Sequence, residues 1–252
     1  MLSDDPLVLL ALVGIAGIAG LVDAIAGGGG LLTVPALLLA GLSPHVALAT
    51  NKGQSVFGAA AALARYARSP LLDRSRAPAG FCAGLLGAVA GVLLVQAVSP
   101  TALRPLILVL LVVAVAVVIG VRPPPAGERR ARPLALTVLV AGVIGAYDGF
   151  FGPGTGTFLI LAGTLLWRTP YDAASADAKV VNFASNLGAL TVFAAHGQVL
   201  WPVALAMGTA QLAGGWLGAH LVVRRGAGLV RVVVIVVGLA LVARLAWGLW
   251  RG

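Results

Sequence analysis

The chain has 252 residues, of which 60% are hydrophobic and only 10% charged, with a formal net charge of +9. Soluble domains carry roughly 25% charged residues, so this composition, with a mean hydropathy of +1.04, excludes a soluble globular protein. The positive charge is almost all arginine lying between apolar runs, which points to membrane topology rather than to nucleic acid.

The apolar runs are close to twenty residues long and predict membrane-spanning helices; a β-barrel would show alternating segments of about ten residues. Lipid leaves backbone groups no partner but each other, so the segments must be helical. In chain order they cover 7–26, 31–42, 44–65, 79–97 and 101–121, then 134–151, 155–167, 171–195, 199–223 and 227–249. The start of the chain, with Asp4 and Asp5, lacks the positive region of a signal peptide, so the first run is expected to be retained as a span. The second and seventh runs are short: a helix over 31–42 rises about 18 Å, against a hydrocarbon core of about 30 Å. Each follows a glycine-rich break, so each is expected to be a re-entrant or broken half-helix. The expected fold is an all-α polytopic membrane protein with about eight full spans and two half-helices.

The arginines predict the sides. Arg65, Arg68, Arg74 and Arg76 follow the third run, and Arg122, Arg129, Arg130 and Arg132 follow the fifth. Arg168 follows the seventh, and Arg224 and Arg225 the ninth; the alternate connections hold only Arg104 and His196 as bases. If the arginine-rich connections are cytoplasmic, each half holds an odd number of runs and the second half enters from the opposite face. That is an inverted-topology repeat, with residues 1–122 as one copy, 134–252 as the other, and the proline-rich 123–133 as a cytoplasmic linker. Small residues at Gly84, Gly87, Ala88 and Gly91, and at Gly214, Gly215, Gly218 and Ala219, predict close helix packing.

The polar residues are doubled as well. Asp23 precedes Gly27, Gly28, Gly29 and Gly30; Asp148 precedes Gly152, Gly154, Thr155 and Gly156. The chain has only two lysines, Lys52 and Lys179, one in the long run after each break. An ionisable group there costs at least ~2.5 kcal/mol on insertion scales. The bland reading is snorkelling, or pairing with Asp23 or Asp148 for stability. The functional reading is an anion cradle built from both ammoniums. Asn51 and Ser55, with Asn182 and Asn186 on the Lys179 face of their helix, would hydrogen-bond the anion. Gly28, Gly29, Gly154 and Thr155 would present N–H groups at the half-helix starts. Asp23 and Asp148 either carry coupling protons, since burial raises a carboxyl pKa and a nearby ammonium lowers it, or cap the half-helices and pair with lysine.

No catalytic group, metal site or cofactor is expected: Cys82 is the single cysteine, and no paired histidines or Ser-His-Asp set lies on one face. No soluble domain to house an ATPase is expected from these residues. The expected partners are a small anion and the lipid bilayer, with no nucleic acid; a homo-oligomer stays open.

The stretch from Gly20 to Pro35 with Thr50, Asn51 and Lys52, and that from Tyr147 to Thr157 with Lys179, Asn182, Ser185 and Asn186, resemble the TauE/SafE family of sulfite exporters. The resemblance covers both halves. It implies a bacterial-type plasma-membrane permease for sulfite, sulfoacetate or related organosulfonates; with the inverted repeats, the expectation is a secondary transporter working by alternating access. An anion channel of the same architecture, or a membrane-embedded enzyme or assembly subunit, is the alternative.

Overall fold

In a computed structural model, residues 6–120 and 131–226, with 228, 229 and 232, are described. Among them every regular element is an α-helix: α1 (Pro6–Ala26), α2 (Gly30–Leu39), α3 (Pro44–Tyr66), α4 (Ala77–Gln96), α5 (Pro100–Gly120), α6 (Leu134–Phe150), α7 (Thr155–Trp167), α8 (Tyr171–Ala195) and α9 (Trp201–Arg225). The apolar runs and these helices agree to within about three residues at each end. The expected last run, 227–249, lies outside the described residues, as do Arg122, Arg129, Arg130 and residues 123–130 of the expected linker.

Helices α1, α4 and α8 are long and apolar enough to cross a membrane by length and composition. Helices α3 and α9, of 23 and 25 residues, are as long but more polar. In α3 the polar groups point inward: Thr50, Asn51, Lys52, Gln54 and Ser55 are buried, while Leu86, Leu93, Leu108, Val112, Leu139 and Leu205 on neighbouring helices are exposed. A polar interior under an apolar exterior is the arrangement lipid demands. The chain is a multi-pass membrane protein.

The short helices fold back. Asp23 and Ala19 of α1 lie against Gly29, and Leu12 and Ala16 cluster with Leu37 and Leu42 beyond it. α2 therefore returns alongside α1 toward the end where α1 began. In the same way, Leu159 and Ile160 of α7 cluster with Ala141 of α6, and Trp167 at the end of α7 stacks on Arg132 just before α6. Each break is thus the tip of a helical hairpin.

The long helices interleave the two sequence halves. α4 packs on α6 and α8, and α9 packs on α1 and α3, while α3 and α8 meet at the centre. Glycines permit this. A Cβ on Gly91 would collide with the Ala146 carbonyl oxygen, and one on Gly149 with the Ala88 oxygen; Gly214 and Gly218 stand likewise against Gly17 and Leu21.

Polar contacts sort the helix ends. The end of α3 meets the start of α8 through Tyr66 and Ser175, and Arg65 meets His220 near the end of α9. Asp73 before α4, Arg132 before α6 and Asp177 in α8 form one network. Among the described residues, Arg65, Arg76 and Arg132 therefore share one end of the molecule. At the other end Gln96 and Gln198 bond each other, and His45 meets the Val95 carbonyl.

Candidate functional site

The two hairpin tips touch. The chain turns at Gly27, with φ 77°, and at Gly152 and Gly154, with φ 99° and 87°. L side chains rarely enter this region, so glycine supplies the turn. The Thr157 hydroxyl donates to the Ala26 carbonyl at 2.7 Å and its N–H to the Gly27 carbonyl at 3.3 Å. A Cβ on Gly27 would lie inside the Gly156–Thr157 peptide, and one on Gly156 would meet Gly27.

Beside this contact sit two ion pairs that cross between the sequence halves. Lys52 Nζ lies 2.8 Å from Asp148 Oδ1, with both side chains 2% exposed. Lys179 Nζ lies 2.7 Å from Asp23 Oδ2, with exposures of 0% and 13%. Each lysine on a central helix thus meets the carboxylate of the opposite hairpin. Burial of four charges is tolerable only because they are paired and hydrogen-bonded. The Ser185 hydroxyl also donates to Asp148 Oδ2 at 2.6 Å. Lys179 donates a second bond to Asn182 Oδ1 at 3.3 Å. Asp23 accepts from the Gly29 N–H at 3.3 Å, spanning the break at the head of α2.

Between the pairs lies a cavity of about 10 Å³, lined by residues that include Asp23, Asn51, Lys52, Ser55, Asp148, Asn182 and Asn186. That is room for about one water molecule and too little for an oxyanion. Asn51 is held by the Thr33 hydroxyl, which donates to its Oδ1 at 2.6 Å, and by Gln54 Nε2 at 2.9 Å. Asn186 donates back to the Asn182 carbonyl at 2.6 Å.

Most of the residues singled out from sequence therefore converge. Gly28 and Gly29 are buried in the first tip. Gly154 and Thr155 stand apart from the cavity: Gly154 faces Ala114 and Phe158, and the Thr155 hydroxyl is taken by the Gly152 carbonyl at 2.6 Å. Gly27, Gly30, Gly152 and Gly156 line the cavity in their stead. The doubling marked the breaks, but which face of a tip turns inward depends on the opposing hairpin.

A second, larger cavity of about 590 Å³ opens at the arginine-rich end, between Pro70–Asp73, Arg76, Arg132, Trp167 and the start of α8. Its walls are tied by Arg132, which bonds Asp177, and by Arg76, 3.0 Å from Asp73. Partial burial pushes the Asp73 carboxyl up, but the Ser75 hydroxyl and the Arg76 and Arg132 guanidiniums outweigh it and hold it below the ordinary carboxylate value. Asp73 and Arg132 are far from Asp177 along the chain, so this network is set by the tertiary fold.

The family model described as "Sulfite exporter TauE/SafE" matches residues 11–245. "Probable membrane transporter protein ORF9" of Sinorhizobium sp is 39% identical over 90% of this chain and 88% of its own length. "Probable membrane transporter protein YfcA" of Escherichia coli (strain K12) is 38% identical over 96% of this chain and 91% of its own. A "Probable membrane transporter protein" of Haemophilus influenzae is 36% identical over 96% and 95%. No solved structure matches the chain.

Proposed function

This chain belongs to the sulfite exporter TauE/SafE family of membrane transporters, and from that premise we propose that it is a secondary transporter of small sulfur oxyanions or organosulfonates. It works by alternating access between two inverted repeats, with the arginine-rich end cytoplasmic by the positive-inside rule. Because each re-entrant hairpin leaves by the face it entered, the half-helices do not disturb the sidedness expected from the arginines.

The observation that carries this reading is the crossed pairing of Lys52 with Asp148 and Lys179 with Asp23 around the touching tips. Two buried ammoniums held by carboxylates form a closed site. An arriving oxyanion replaces a carboxylate as the partner of an ammonium, and the displaced carboxylate is neutralised by a proton. Asn51, Ser55, Asn182 and Asn186 supply donors to the anion's remaining oxygens. Since each pair joins one sequence half to the other, exchanging partners also loosens the contact between the halves that must move.

Replacing Lys52 or Lys179 singly by Met tests the cradle. Both variants should reach the membrane and transport no sulfite in proteoliposomes. Wild-type flux in both would rule the cradle out.

A further inference from the structure

We infer that the two crossed pairs are not equivalent: Asp23 is the carboxyl that takes up and releases the coupling proton, and the Lys52–Asp148 pair stays ionised throughout. This rests on the proton-coupled reading above and assigns the proton to one atom group within it.

The carboxylates differ first in what holds their charge. Asp148 is almost fully enclosed, with the Lys52 ammonium 2.8 Å away and the Ser185 hydroxyl donating to it at 2.6 Å. Both groups favour the ionised form. Ser185 stands six residues after Lys179. The residue six after Lys52 is Gly58, which has no hydroxyl to offer Asp23. Asp23 has Lys179 at 2.7 Å, a long N–H bond from Gly29 at 3.3 Å, and 13% of its side chain exposed.

The lysines differ second in what they keep when the carboxylate is neutralised. Lys179 already donates to Asn182 Oδ1, three residues on in its own helix. Lys52 has Ser55 at the matching position, and among the described residues no acceptor but Asp148 reaches it. Protonating Asp148 would leave a buried ammonium with no partner. Protonating Asp23 leaves Lys179 on Asn182 with donor capacity to spare for an anion.

The surroundings of Asp23 agree. Facing it are Lys179 on α8, Lys52 and Tyr66 on α3 and, across the cavity, Asp148 on α6. Tyr66 donates its hydroxyl to the Ala24 carbonyl at 2.8 Å and so does not compete for the carboxylate. Neither α2 nor α7 carries an ionisable side chain, and α9 carries His220, Arg224 and Arg225 only in its last two turns, where His220 meets Arg65. In the step, one proton from water binds an Asp23 oxygen. The Lys179 N–H leaves that oxygen for Asn182 and for an oxygen of the incoming anion, and Lys179 itself stays protonated. Ammonium, neutral carboxyl and monoanion sum to zero, as the ion pair did, so one proton accompanies each monoanion.

The test is the pH-difference infrared spectrum of the purified full-length protein, without substrate. A protonated-carboxyl band should titrate in wild type, vanish in Asp23→Asn and persist in Asp148→Asn. Asn182→Leu removes the second acceptor of Lys179 and should move the midpoint to lower pH. That arm decides the matter if Asp23→Asn does not fold. A band that survives Asp23→Asn, that is lost with Asp148→Asn, or whose midpoint ignores Asn182→Leu overturns the assignment. Sulfite uptake into proteoliposomes under an imposed pH gradient is then compared. Wild-type uptake should respond to the gradient and Asp23→Asn uptake should not. Wild-type uptake indifferent to the gradient, with the Asp23 band present, would sink the coupled-transport reading and leave the proton site standing.

Discussion

At the scale of residues, the organising fact is that each buried lysine has its carboxylate on the other sequence half. Removing one member of a buried pair strands the other, at a cost of about 3–5 kcal/mol, whereas replacing both by apolar groups is often close to neutral. Lys52→Met alone should therefore lower the thermal unfolding midpoint markedly. Adding Asp148→Leu should restore much of that loss without restoring transport. If the double variant is no more stable than the single one, the pair is not what holds this part of the core. The lysines were legible because they are the only two and lie in apolar runs. Their partners were narrowed to Asp23 and Asp148, but spacing along the chain could not say which carboxylate goes with which lysine.

At the scale of elements, the tips are the parts with least tolerance. Gly27 has both a positive φ and the backbone of Gly156 where its Cβ would stand. Gly27→Ala combines a left-handed strain of about 1–2 kcal/mol with a backbone collision that must push the hairpins apart. It should destabilise the protein and abolish transport. Gly41→Ala is the control: its φ is also positive, 93°, but nothing lies within 4 Å, so it should show the strain alone and keep transport. Equal losses in the two variants, read by thermal unfolding and sulfite flux, would mean that tip contact is unimportant. The shortness of α2 and α7 and the glycine breaks were readable from the apolar runs. That the tips meet was not, because it depends on two hairpins 125 residues apart approaching each other.

At the scale of the whole molecule, charge sorts the ends. The Asp73–Arg76–Arg132–Asp177 network closes the arginine-rich end around the larger cavity. Because the folded-state value of Asp73 is depressed, its contribution to stability is present above the unfolded carboxylate value of about 3.9 and is lost as pH falls through the folded value. Asp73→Asn should therefore flatten the fall in unfolding midpoint between about pH 5 and pH 3 relative to wild type; an unchanged slope would show that the network does not carry that dependence. The proposed sulfur oxyanion guest is tested at this scale too. Sulfite at 100 times its dissociation constant should stabilise the folded state by about 2.7 kcal/mol, seen as an upward thermal shift that chloride at the same ionic strength does not produce.

What the sequence determined by itself is what composition and local order can encode. Hydrocarbon tolerates only helices with satisfied backbones, so apolar run lengths specify the spans, and glycine and arginine mark where those spans break and end. What only the tertiary structure decided is partnership. α4 and α9 each pack against the opposite half, the hairpin tips abut, and the ion pairs cross, because these contacts join residues far apart along the chain whose meeting depends on how all the helices pack together.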